Sequence, residues 1–417
     1  MKIDQQALKK PGCPGKARMR ALGNVRHPFW MCGLRPFFLL AGLAAPLLML
    51  AWLAFLGLGL PMPPTAGDPF VWHAHELLFG FTLAAVAGFT LTIVPEFAGG
   101  GDFNAASVRW LALSWIAGRI AFWSSGWFGA PALAVSGMAH LALLLGLAWL
   151  AVPRLRHGPG RQHLAFLWAL AGFTLCVAGF YFDALRGMHP MRWLYATLGI
   201  VMMLIIVALS RISMRIVNFT IKDAGIVGVE YRARPPRRMI AITGIGLYTT
   251  VEFFLPGTYL SGWFALAAAA GMLNLIRDWR IGRALFRRRP LMFFGVYVAM
   301  AAGYAAMGLA LVFEIGAFNA GRHMLTIGAL GLAIYTVMSI AGRCHCGHPA
   351  ENRLWMPLGA GLLVAAMLLR AMAYWPGVNA LIFWLAAGGL WCTAFGLFSW
   401  HTLRLLLTAR PDGRNGC

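Results

Sequence analysis

Apolar blocks dominate this chain, each about as long as the roughly 20 residues a helix needs to cross a bilayer, with charges confined to the short stretches between them. "VWHAHELLFGFTLAAVAGFTLTIVPEF", Val71 to Phe97, is one such block. Only 12% of the 417 residues are charged, about half of what a soluble domain of this size carries. Lipid offers no hydrogen bonds to a free backbone, so such blocks must be helices; a barrel would show short alternating strands instead. The expected fold is all-α: a polytopic integral membrane protein with about 12 transmembrane helices.

Apolar runs and their breakers place the spans near 34–60, 72–96, 108–123, 130–152, 163–182, 192–216, 238–256, 260–277, 290–313, 322–342, 354–375 and 378–403. The chain then divides into a basic N-terminal tail (1–33), a twelve-helix domain (34–407) and a C-terminal tail (408–417). The net charge of +22 invites a nucleic-acid reading, but the basic residues lie between apolar blocks rather than along one face, which excludes it. Alternate connections differ sharply in charge. One set carries seven Lys and Arg in the first tail, seven from Arg211 to Arg238 and six from Arg277 to Arg289; the other has only Arg186, Arg192 and Arg322. Cytoplasmic loops carry such an excess, so both termini are expected in the cytoplasm. The first tail lacks an apolar core with a small-residue cleavage site and reads as cytoplasmic rather than as a signal peptide.

This orientation puts His73, His75 and Glu76 at the outer end of the second span and His323 at the outer end of the tenth. Arg119 and Arg370 interrupt the outer halves of their spans and need anionic partners, for which Glu76, Glu314 and the two propionates of a haem are candidates. Imidazole is a common ligand for haem iron and copper, and three histidines at one face favour metal ligation over simple interfacial bonding. On a regular helix His73 and His75 point about 200° apart, whereas His73 and Glu76 share a face. "HELLFG" and "HMLTIG" share a pattern in which a glycine, Gly80 or Gly328, follows a histidine by five residues. Such a glycine either admits a flat macrocycle or allows close helix packing. His140, mid-span, reads as bonded to a neighbouring helix. "RCHCGHP" offers Cys344, His345, Cys346 and His348 as soft ligands, but in no standard zinc spacing, and no CxxCH supports covalent haem attachment.

"RPFFLLAGLAA", "WHAHELLFGFTLAAVAGFTLTIVPEF", "GRIA" and "RHMLTIGALGLAIYTVM" resemble the NnrS family of bacterial membrane proteins. The resemblance implies a haem- and copper-containing protein of the inner membrane, linked to denitrification and tolerance of nitric oxide or a related small molecule. It also carries over Arg35, His73, His75, Glu76, Arg119, His323 and Thr326 as motif positions, without individual roles. The sequence departs from the family pattern at Glu96, where an asparagine is usual, and at Ile340, where an arginine is expected. Arg215 matches only loosely, and the ninth span lacks the histidine that members often carry.

The leading expectation is therefore a haem- and copper-binding membrane protein, with His73, His75 and His323 as metal ligands and Glu76, Arg119 and Arg370 beside the cofactor. Whether it turns over a substrate is left open. The alternative is a proton-coupled transporter using the same His/Glu cluster, although no inverted or parallel halves are evident. A structural partner of a larger respiratory complex is a third possibility.

Overall fold

The computed structural model describes residues 24, 27–65, 67–349, 353–414 and 416–417. The basic residues from Lys2 to Arg26 lie outside these. Among the described residues the chain is all-α. Its long helices are α1 (Leu34–Leu58), α2 (Pro69–Ala98), α3 (Ala105–Trp123), α4 (Ala130–Leu155), α5 (Ala165–Leu185), α6 (Met191–Asp223), α7 (Pro235–Phe254), α8 (Tyr259–Ile276), α9 (Arg288–Phe313), α10 (Phe318–His345), α11 (Trp355–Met372) and α12 (Ala380–Leu407).

Several helices begin where a side chain can take up the first free amides. Asp68 accepts from the amides of Phe70 and Val71 at 2.8 and 3.0 Å ahead of α2, with Pro69 at the first helical position. Asn104 and Asn379 cap α3 and α12 in the same way. The predicted spans coincide with the helices to within a few residues, except that α6 runs on to Asp223. Apolarity marks where lipid ends, but a helix can continue into water beyond it. Ten of these helices are long and apolar enough to cross a membrane. By the same measure α3 and α7, at 19 and 20 residues, are long enough but more polar.

Most sequence neighbours pack side by side, α2 and α3 being the exception, and α12 closes back on α1. Three helices spaced four apart in sequence lie inside. In their most apolar stretches α2, α6 and α10 are 89%, 72% and 67% buried, against 33–50% for the other apolar helices. The outer helices expose Leu47, Trp149, Trp168 and Trp400, a surface suited to lipid rather than water.

Both α2 and α10 depart from α geometry in the same place. Glu76–Thr82 and Met324–Gly331 are π-helical and immediately follow His75 and His323. The repeated sequence pattern thus corresponds to a repeated backbone feature, and π segments collect at functional sites. Both contact α6. Carbonyls of the first π segment find side-chain donors: Trp115 Nε1 bonds Gly80 O at 3.0 Å, and Thr82 Oγ1 bonds Leu77 O at 2.7 Å. The two glycines admit protein rather than open space. A Cβ at Gly80 would meet the Arg119 guanidinium, and one at Gly328 would strike Met367 of α11.

At the opposite, arginine-rich end, Cys32 and Cys417 are joined in a disulfide, a bond that oxidising compartments favour. Arg410 bonds the His345 carbonyl at 3.1 Å, so the C-terminal segment packs over "RCHCGH". Cys344 and Cys346 are free thiols. No group of three or more metal-ligating side chains forms there or elsewhere among the described residues.

Candidate functional site

The spacing argument predicts that His73 and His75 diverge, and their side chains do lie in different environments. His75 is fully buried against α3, α4 and α5, stacked on Phe122 at 3.5 Å and near Phe180 at 5.0 Å. Its Nδ1 is 3.0 Å from Glu76 Oε1, and its Nε2 is 2.9 Å from the Tyr181 hydroxyl. That hydroxyl is also 2.9 Å from His140 Nδ1, and His140 Nε2 is in close contact with Arg119 Nη2. Arg119 Nη1 returns to Glu76 Oε1 at 2.7 Å.

Five side chains from four helices therefore close a ring. One placement of protons satisfies every link with both imidazoles neutral. His75 Nδ1–H donates to ionised Glu76, and Tyr181 O–H donates to His75 Nε2. His140 Nδ1–H donates to the Tyr181 oxygen, and Arg119 donates to both His140 Nε2 and Glu76. Ser136 Oγ lies 2.7 Å from the phenol oxygen and 2.8 Å from the Gly118 carbonyl, and with the Tyr181 proton given to His75 its single proton serves one of these two acceptors at a time. Within the ring the charges of Arg119 and Glu76 balance. Glu76 Oε2 lacks a hydrogen bond of normal geometry, although the Trp123 indole interacts with it.

Sequence reasoning anticipates Glu76 as a partner for Arg119 and a helix-bonded role for His140, but it misses Tyr181 and Ser136. The available signal was local. Ser136 and His140 are four residues apart, which puts two polar groups on one face of an otherwise apolar helix.

His73 faces the other way, towards α1, α10 and α11. Its ring stacks on Trp52 at 4.4 Å, and neither nitrogen has a hydrogen-bond partner among the described residues. His323 contacts the Asn319 carbonyl through Nδ1 at 2.8 Å. That carbonyl can only accept, so the proton sits on Nδ1 and Nε2 is left as a free lone pair. His73 and His323 interact electrostatically with each other and with Arg370. Arg370 lies 5.0 Å from the ring centres of both Tyr374 and Trp384, and its Nη1 is buried without a hydrogen bond. No carboxylate pairs with it among the described residues; Glu314, one candidate, is an exposed residue capping α9 in left-handed geometry (φ 55°). The histidines expected to converge thus separate into His73 with His323, and His75 with His140.

Nearby polar residues hold the frame. Glu252 pairs with Arg322 at 2.8 Å beside a cavity of about 220 Å³. Asp68 lies outside the span. Burial alone would raise its pKa, but bonds from Val71, His189 and Phe70 hold its carboxyl below the usual range.

Three positions expected to depart from the family pattern, Glu96, Arg215 and Ile340, converge elsewhere. Glu96 is ion-paired with Arg215, and both line, with Ile340, a cavity at the arginine-rich end.

The sequence model of a family described as "NnrS protein" matches residues 28–410 of the chain. Comparison with curated proteins yields no match.

Proposed function

From the premise that the chain belongs to the NnrS family, we propose that it is a haem-binding membrane protein of the nitric-oxide response, with His73 and His323 as the ligand pair. The observation that carries this reading is the pairing of two imidazoles having free nitrogens with an arginine having an unsatisfied, buried donor. A porphyrin supplies four nitrogens of its own, so two histidines complete iron's coordination. Asn319 fixes the tautomer of His323, as second-shell acceptors do for metal ligands. Arg370 suits a propionate carboxylate, with which it would form a charge-assisted bond. Iron held in this way would supply a route for one electron, and a diatomic ligand such as nitric oxide could bind only where one of the two histidines gave way.

The closed ring has a different role in this reading. Both nitrogens of His75 are already engaged, so ligation by His75 requires opening the ring. In place, the ring anchors α2 and fixes the direction in which His73 projects. Copper fits the described residues less well, because no three ligating side chains come together. By the charge bias, the histidine end faces away from the cytoplasm, both termini lie inside, the host membrane is the bacterial inner membrane, and α3 and α7 bring the number of spans to twelve.

The test is the optical spectrum and iron and copper content of the purified protein, with Tyr181→Phe as a control that alters the ring and removes no ligand. Stoichiometric iron and a Soret band are expected, with the band lost or shifted in His73→Ala and His323→Ala and kept in Y181F. The ligand assignment fails if wild type has no Soret band, or if both histidine variants leave it unchanged.

Proton-coupled transport is the second reading, favoured by cavities at opposite ends of the bundle and by a hydrogen-bonded ring able to relay protons. Metal-free protein that accumulates a solute in proteoliposomes under a proton gradient would support it.

A further inference from the structure

An apolar-walled cavity lies at the arginine-rich end, far along α2 and α10 from His73 and His323. It measures about 400 Å³, within the range of small-molecule sites. α1, α2, α6, α9 and α10 line it, with Phe38, Phe89 and Phe293 among its walls. Its polarity is graded from one side to the other. Towards the connecting loops it shares Glu96, Phe97, Arg211 and Arg215 with a wider polar vestibule bordered by Glu230, Arg232 and Arg234. Towards the bundle centre it shares Phe38, Phe89 and Val337 with an apolar crevice reaching Thr82, at the end of the first π segment.

Three arginines and one glutamate border this cavity, and they differ in what they touch. Arg215 is ion-paired with Glu96, and Arg211 bonds the Gln162 carbonyl at 2.8 Å. Arg289 is only 8% exposed and makes no hydrogen bond or ion pair among the described residues. Its electrostatic neighbours are the Cys344 thiol and, through Coulomb attraction alone, Asp223. None of the Arg289 nitrogens is among the fully buried side-chain atoms that lack a partner; the residue lines the cavity, so the five donors of its guanidinium are open to an occupant. A cationic head open to an apolar tunnel specifies two features of that occupant: an anionic group for Arg289 and a slender apolar body for the crevice. A small inorganic anion would leave the phenylalanine-lined part unfilled, and a neutral hydrocarbon would leave Arg289 unmet.

We propose that this cavity binds one anionic amphiphile, with a carboxylate or phosphate headgroup on Arg289 and a single acyl chain lying along Phe89 and Phe38 towards Val337. The Glu96–Arg215 pair stands at the boundary of vestibule and cavity and is the contact an incoming headgroup must pass. The site is independent of the haem reading, since it shares no residue with the His73–His323 pair; either can fail alone.

The test uses the full-length protein in micelles of a neutral detergent, with parinaric acid, a fluorescent long-chain fatty acid, as probe. Saturable binding is expected, displaced by oleate but not by acetate or methyl oleate. Arg289→Gln should weaken it about tenfold, as loss of a charge-assisted contact does, while Arg289→Lys keeps most of it. Ala341→Trp, which fills the cavity, should abolish binding without altering the helical circular dichroism. Mass spectrometry of lipids retained by wild type and lost from R289Q assigns the source: a free fatty acid or a bilayer phospholipid. Absence of saturation, equal displacement by methyl oleate or by acetate, or undiminished binding in R289Q each overturns the proposal.

Discussion

The two histidines of "HAH" sit two residues apart and meet opposite conditions. His75 belongs to a dry ring in which every link has a partner, built from α2, α3, α4 and α5. His73 faces α1, α10 and α11, where imidazole nitrogens and an arginine donor are unmet. The contrast separates two roles that composition cannot: a buried cluster whose imidazole nitrogens are all engaged fixes structure, even with Glu76 Oε2 and Arg119 Nε lacking a hydrogen bond, while one whose imidazole nitrogens are unmet is available for a ligand.

The comparison is broken most severely at Glu76. Glu76→Gln leaves Arg119 buried without its counter-charge, and a loss of about 3–5 kcal/mol is expected, read by thermal unfolding in detergent. Adding Arg119→Gln should restore part of that loss, because the pair and not either member is the stabilising unit; purely additive losses would mean the ring does not act as a unit. Next comes Tyr181→Phe, which removes the hydroxyl shared by two histidines and Ser136. It should cost about 1–3 kcal/mol while leaving bound iron in place.

On the other face the order reverses. His73→Ala and His323→Ala should each change stability of the metal-free protein by less than about 1 kcal/mol, yet each should remove or displace the Soret band. A stability loss as large as that of E76Q would show that His73 and His323 are structural as well. Arg370→Gln has the smallest expected effect: near-zero or slightly favourable for the metal-free protein, since an unpaired arginine at that depth is unfavourable. It should weaken haem retention, measured as the rate of transfer to apomyoglobin.

Most of the helical layout was legible in the sequence, because lipid imposes a length and an apolarity that can be read directly. The separation of His73 from His75 was legible too, being a consequence of helical angle. The ring was half legible. Burial of Arg119 demands an anion, and Glu76 was a candidate, but Tyr181 gives no local sign that its hydroxyl joins two histidines on separate helices. Three-helix convergence depends on how helices rotate against one another, and apolar faces written for lipid carry little information about rotation. The glycines show the same limit: close packing and cofactor access require the same residue, and only the neighbours Arg119 and Met367 distinguish them.

The π segments after His75 and His323 carry a consequence for how this site can change. Each residue of an α-helix turns the chain by about 100°, and a π turn accommodates one more residue per bonded loop than an α turn. Deleting a single residue between Glu76 and Thr82 would let the backbone bonds re-pair in α fashion, with the lost residue taken out of the π turn and the lower half of α2 kept close to its present facing against His75. The π turn is thus a place where the length of α2 can change by one residue with little change in the angle between the histidine end and the arginine-rich end. The same deletion in a purely α part of the helix would swing one end against the other by about 100°.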